Sequence, residues 1–260
     1  AAPRMTLLSY ILGGSSKSNE SKPDPVLEAA QETVKQSGCP VRFGNNGSGS
    51  SCPVNEGRQR DHPMIMLDPR NNMRSGGESQ YPGLGQKDVL PQNRQVSSIP
   101  KSDFTPVHQK EVESDRWVYP SEQMFFNAMQ RKGWGPREED MHAVVAIHNA
   151  VNEQTWREIM KWERLHCDEC AQPKLKRFIG RPTDYSPMAR LLSLIGYQLP
   201  FDRHDWTIDR CGTQVRYVID FYNGRPDPSK PVSMYLDVRP ALDSWSAAVD
   251  RVRMLVSPPA

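Results

Sequence analysis

Apolar positions recur at helical spacing between Phe125 and Met160, then give way to alternating and β-branched runs beyond Trp206. The stretch "RWVYPSEQMFFNAMQRKGW" predicts a first helix, with Ser121 as N-cap after Pro120, an apolar stripe through Phe125 and Met129, and Gly133 as its stop. A second helix follows in "PREEDMHAVVAIHNAVNEQTWREIMKWERLH", where acids occupy the first turn and Val144, Ile147 and Val151 share a face. Its polar centre allows two outcomes, a break at 149–152 with a restart through Trp156, Ile159, Met160 and Glu163, or a continuous kinked helix. Further on, 214–222 and 232–238 are rich in β-branched and aromatic residues and flank a Gly/Pro/Asp loop, which predicts an antiparallel pair, with 206–210 as a third strand. After Pro240, Leu242, Trp245, Val249 and Val252 fall on one face of a closing amphipathic helix. The order predicts an α+β fold: a helical half, a small antiparallel sheet and a C-terminal helix.

Composition adds a boundary. Residues 1–120 hold 12 Pro and 11 Gly, and of the six Trp only Trp117 lies among them. Such a segment buries too little apolar surface to offset its ordering entropy. Residues 1–116 are therefore expected to form a long irregular arm and 117–260 the folded domain. Within the arm, Asp24-Pro25 and Gly38 bracket a short helix. Residues 1–12 lack an initiator Met and would suit a processed or trimmed N-terminus.

Charge narrows the partners. With 33 Lys and Arg against 31 Asp and Glu, the formal charge of +2 gives no global attraction to nucleic acid, and no basic patch is dense enough to supply a local one. The longest apolar runs, "MTLLSYIL" and "ARLLSLIGY", fall short of the roughly 20 residues a bilayer-spanning helix needs. Five scattered cysteines do not form a disulfide framework, and reduced thiols are the simpler expectation.

Several residues are equipped for chemistry. A neutral imidazole such as His148 ligates iron or zinc when a neighbouring amide or carboxylate fixes its tautomer, and Asn149, Asn152 and Glu153 are placed to do so. On the residues alone, a satisfied core histidine or a helix-break residue is the simpler reading. His204, inside "LPFDRHDW", sits among carboxylates that favour its protonated form, which suits acid–base work or an ion-pair corner. Arg190, Arg203, Arg210 and Arg216 suit bidentate capture of carboxylates, including porphyrin propionates, or ordinary strand-face positions. Cys167-Asp-Glu-Cys170 has the spacing of a zinc or dithiol pair but lacks a second ligand pair, leaving an exposed loop as the alternative. Two Cys-Pro-Val elements, at Cys39 and Cys52, offer soft thiolate ligands for haem iron.

Four strings, "WVYPSEQMFFNAMQRKGW", "IHNAVNEQTWREIMKWE", "YQLPFDRHDWTIDRCGTQVRYVIDFY" and "LDVRPALDS", resemble the holocytochrome c synthases, the mitochondrial cytochrome c haem lyases. The resemblance spans about 117–253 and extends to the Cys-Pro-Val elements. It implies a lyase of the mitochondrial intermembrane space, peripheral to the inner membrane, that attaches haem b to the Cys-x-x-Cys-His motif of apocytochrome c through two thioethers. The c-type cytochrome of complex III is a further expected partner. Carried onto this sequence, the resemblance makes His148 the axial iron ligand. It places Trp117 and Tyr119 at the haem pocket, with Asn149 and Asn152 around the imidazole, Glu153 and Arg210 as sensitive positions, and Arg216, Cys39 and Cys52 as further haem contacts. The implied catalytic set is His148, Glu153 and His204. A non-catalytic haem carrier or sensor is the alternative from another class.

Overall fold

The computed structural model describes residues 79–83, 85–102, 114–181, 184–224 and 234–256. The short helix expected at 24–38 and the Cys39 and Cys52 elements lie outside the described residues. Six strands and four α-helices follow one another as β1 (Val96–Pro100), β2 (Arg116–Val118), α1 (Glu122–Arg131), α2 (Met141–Glu163), β3 (Lys174–Gly180), α3 (Pro187–Leu194), β4 (Asp202–Arg210), β5 (Thr213–Asn223), β6 (Met234–Pro240) and α4 (Trp245–Val256). β1 and β2 form a two-stranded antiparallel sheet, and β3-β4-β5-β6 form a four-stranded antiparallel meander. The predicted α+β class is therefore observed.

The helix signals act as expected. The Ser121 hydroxyl accepts from the Met124 amide at 3.2 Å, and Gly133, at φ +78°, ends the run beyond α1. The acids Glu138, Glu139 and Asp140 fall in a single 3₁₀ turn ahead of α2. α2 then runs unbroken for 23 residues, about 35 Å. Its polar centre does not break it, because the amides and carboxylate there find partners on other elements or on the helix itself. The Asn152 amide, for example, donates to the His148 carbonyl one turn back at 2.8 Å.

The 206–210 strand extends back to Asp202, where the charged side chains of "FDRHD" pair two residues apart along the same face, Arg203 with Asp205 and His204 with Asp202. β4 turns into β5 through Cys211-Gly212, whose φ values of +45° and +98° belong to the tight hairpin turns that match strand twist. The turn is held by a disulfide from Cys211 to Cys170, just beyond α2, with Cα atoms 5.6 Å apart. This corrects the expectation of reduced thiols and the reading of Cys167–Cys170 as a zinc or dithiol pair, since Cys170 is bonded 41 residues away and Cys167 stays free and exposed.

One face of the meander packs against α2 through Trp156, Ile159 and Trp162, meeting Trp206, Ile208, Tyr217 and Ile219. The Trp162 indole donates to the Val238 carbonyl at 2.9 Å, locking helix to sheet. Residues 79–102, which composition assigns to the arm, contribute to this body: Ile99 joins the main core, Leu90 packs with Phe126, Met141 and Val145, and Ser102 N–H bonds the Leu175 carbonyl of β3 at 3.1 Å. The 117 boundary is thus moved upstream by the alternating "VSSIP", whose Ser97 and Ile99 point inward. α4 keeps its amphipathic pattern with the opposite orientation. Ala247, Asp250 and Met254 face the fold, while Leu242, Trp245, Val249 and Val252 are exposed. The Asp250 carboxylate supplies the reason, because it meets buried His166 at 2.9 Å.

Closing a loop of this length lowers the entropy of the unfolded chain by about 4 kcal/mol at 25 °C. Thermal denaturation of a Cys211→Ser variant is expected to show a loss of about 2–4 kcal/mol. Added reductant should lower the wild-type midpoint and leave that of the variant in place.

Candidate functional site

The site is assembled where α2 passes the β1–β2 sheet. His148 lies in the first half of α2, its ring edge-on to Phe125 at 5.0 Å and to Tyr119 at 6.0 Å between centroids. Its Nδ1 lies 3.3 Å from Asn149 Oδ1, and the Asn152 amide nitrogen stands 3.3 Å from Nε2 and 3.5 Å from Nδ1. Asn149 is itself held, donating to Gln95 Oε1 at 2.9 Å. With Asn149 Oδ1 as acceptor, the ring proton sits on Nδ1 and Nε2 keeps the lone pair. Burial pushes the His148 imidazolium down to about 4, opposed by the Asn149 hydrogen bond and assisted by the charges of His204 and Lys132. The ring is therefore neutral at physiological pH, the form that ligates a metal.

Glu153 lies 1.4 turns further along α2 and is buried. Its Oε1 accepts from the Ser97 hydroxyl at 2.6 Å, the Tyr119 hydroxyl at 2.9 Å and the Ser98 N–H at 3.0 Å, and its Oε2 accepts from the Ser98 hydroxyl. Every donor comes from β1 or from the residue after β2. Both oxygens of Glu153, expected as a catalytic residue, are engaged by these donors, and the group joins α2 to β1 and orients Tyr119. Beside this carboxylate, burial first, then the Glu153 charge, raises the Tyr119 hydroxyl far above its ordinary range, and it stays a donor.

The remaining predicted residues are distributed around the fold. Trp117 is in the main core, its indole donating to the Leu175 carbonyl at 3.3 Å and its ring 5.2 Å from Phe178, so it anchors to β3 the strand that leads into Tyr119. His204 faces Phe221 at 4.9 Å and pairs with Asp202 at 3.1 Å, while its buried Nδ1 has no partner. It is close enough for its charge to act on His148. Arg210 is not at the imidazole. It forms a buried bidentate pair with Glu163 at 2.8 and 2.9 Å, and the Tyr217 hydroxyl donates to the same carboxylate at 2.6 Å. Glu163 is 15 residues from His148 along α2, about 22 Å. Arg216 is likewise committed, to Asp205 at 2.7 Å and bidentately to Asp243 at 2.6 Å. Those hydrogen bonds raise its guanidinium still further. Both arginines, expected as haem contacts, are thus engaged in ion pairs away from the imidazole. Among the described residues no group of three or more His, Cys, Asp or Glu is placed to hold a metal ion.

Ser97, Ser98 and Gln95 escape the sequence-level reading. The one local signal for them is the short alternation in "QVSSIP", which marks a strand and gives no sign that its hydroxyls meet a carboxylate 56 residues downstream.

A family model described as Cytochrome c/c1 heme lyase matches residues 12–255. The chain belongs to the cytochrome c/c1 haem lyase family. It is 47% identical over 209 residues to the holocytochrome c-type synthase of Bos taurus, covering 78% of this chain and 71% of that one. Identity to the holocytochrome-c synthase of Saccharomyces cerevisiae is 41% over 243 residues, 83% of this chain and 85% of that one. A putative holocytochrome-c1 synthase of Schizosaccharomyces pombe is 52% identical over 160 residues, 61% of this chain and 72% of that one. No solved structure matches. The half-buried neutral imidazole in its aromatic setting and the two arginines engaged in ion pairs thus lie in different parts of the fold.

Two measurements check this division. Replacing Arg210 with Ala leaves Glu163 buried without its cation and is expected to cost about 3–5 kcal/mol in chemical denaturation. The His148 prediction is a pH dependence. Its folded value of about 4 lies below the ordinary 6.5, so the unfolded chain takes up a proton that the folded chain refuses. Haem-free protein should therefore lose up to about 3 kcal/mol of stability as the pH falls from 6.5 to 4, with this contribution flat outside that window. The difference between wild type and His148→Asn isolates it.

Proposed function

We propose that this chain covalently attaches haem b to apocytochrome c, with His148 holding the iron from one side. The observation that carries the reading is the His148 environment, an imidazole kept neutral by burial, with Nδ1 directed at Asn149 and aromatic edges from Phe125 and Tyr119 around it. Membership of the haem lyase family supplies the substrate class, and relatives named as c-type and c1 synthases put both soluble cytochrome c and the c-type cytochrome of complex III in range.

In this reading the Cys-x-x-Cys-His motif of the substrate approaches the other haem face, and its histidine takes the second axial position. That sets the register of its two thiols over the two vinyl groups. Each addition forms one S–C bond at the vinyl carbon next to the ring and leaves the thiol proton on the outer carbon, so atoms and electrons balance without an oxidant. The protein's main contribution is placement, worth up to about 7–11 kcal/mol in well-oriented reactions. The groups that serve placement are the His148 lone pair, the amides of Asn149 and Asn152, and the ring of Tyr119. His204, whose charge acts on His148, takes the part of proton partner during the addition in this reading.

The same reading locates the protein in the mitochondrial intermembrane space, peripheral to the inner membrane. Two findings support it: among the described residues no helix is long and apolar enough to cross a bilayer, and α3 and α4 turn Leu191, Leu194, Trp245 and Val252 to solvent. A non-catalytic haem carrier is the reading from another class. Co-expression with an apocytochrome in a host lacking its own maturation system separates the two. Haem that stays on the cytochrome through denaturation is the expected result, and its absence would exclude a synthase. His148→Ala is expected to reduce that product at least a hundredfold while the variant remains folded.

A further inference from the structure

The clamp on Glu153 is an expensive way to seat a strand on a helix. A buried carboxylate costs desolvation that apolar packing avoids, and substituting well-packed hydrophobic residues at such positions is often neutral or stabilising. Yet Ser97 and Ser98 meet Glu153 with two hydroxyls and one backbone N–H, and the Ser97 hydroxyl also contacts the Tyr119 hydroxyl at 3.3 Å. Tyr119 in turn lies 3.4 Å from the Asn149 carbonyl, on the residue beside His148, and presents its ring edge-on to the imidazole. Ser97 is held as well, accepting from the Ile99 N–H at 3.0 Å. Directional bonds fix the rotation of α2 about its axis and the tilt of Tyr119, which apolar contacts would leave free to slide.

We propose that Ser97 and Ser98 are positioning residues for haem capture: through Glu153 and Tyr119 their hydroxyls set the orientation in which His148 meets the iron. The inference rests on His148 being the haem ligand and adds the device that aims it. Neither serine touches the imidazole, and their contribution is the angular precision with which His148 is presented.

Threonine and valine have nearly the same shape, suit a strand equally and differ in the hydroxyl. The full chain carrying Ser97→Val and Ser98→Val is compared with Ser97→Thr and Ser98→Thr, each co-expressed with apocytochrome c. The readouts are non-covalent haem per purified synthase, the spin state of that haem, the yield of covalent cytochrome and the thermal midpoint. The expected result is a fivefold or greater loss of bound haem and of product in the Val pair, with residual haem shifted towards high spin, and near-wild-type values in the Thr pair. Full occupancy and an unchanged spin state in the Val pair overturn the proposal, as does an equal loss in both pairs with unchanged thermal midpoints. Should either pair fail to fold, Ser98→Ala decides. That hydroxyl is at the rim, so its removal opens no internal cavity, and wild-type haem occupancy and spin state there also overturn the proposal. His148→Ala in the same assay keeps the two readings distinguishable. Haem retained by that variant defeats the ligand assignment itself, whereas haem lost there but kept in the Val pair defeats the positioning role alone.

Discussion

A carboxylate buried in the middle of a long helix has to be met by donors, and the architecture around α2 is arranged to meet this one. Glu153 draws β1 onto the helix, turns Tyr119 inward and thereby gives the two-stranded sheet a fixed seat beside His148. Without it β1 would contribute mainly Ile99 to the core, and one apolar residue specifies neither register nor rotation. The polar run that looks like a break in α2 is thus the part of the helix most tightly specified from outside.

α2 carries a second buried acid at its far end. Glu163 is met by Arg210 and Tyr217 from the meander, and next to it the His166–Asp250 pair brings in α4. The helix is consequently fastened to the β1–β2 sheet at one level and to the meander about 15 Å further along. The disulfide from Cys170 to the β4–β5 turn closes the same end. Loss of the Arg210 cation would strand the Glu163 charge inside the fold.

Much of this was legible in the sequence, and the exceptions have specific causes. Ser121 and Gly133 marked the ends of α1, and the β-branched runs marked β5 and β6, because caps and alternation are local signals. β3 was passed over since "KLKRFIG" alternates its charges with its apolar residues unevenly, and its partner β4 contains charges that are satisfied across the sheet. The continuity of α2 depended on partners 34 and 56 residues away, which no window along the chain contains. His148 stood out as a ligand type, yet its neutrality is a property of enclosure. The outward face of α4 followed from Asp250, a charge that composition assigns to solvent and His166 holds inside.

A rung closes the open end of the β1–β2 pair. The Lys101 N–H bonds the Asp115 carbonyl at 2.7 Å, and the Lys101 ammonium bonds the Ser114 carbonyl at 2.7 Å. Because the register of an antiparallel pair decides which face each side chain occupies, this rung at one end fixes what happens at the other: a slip of one residue would turn Ser97 outward and leave Glu153 buried with its donors withdrawn.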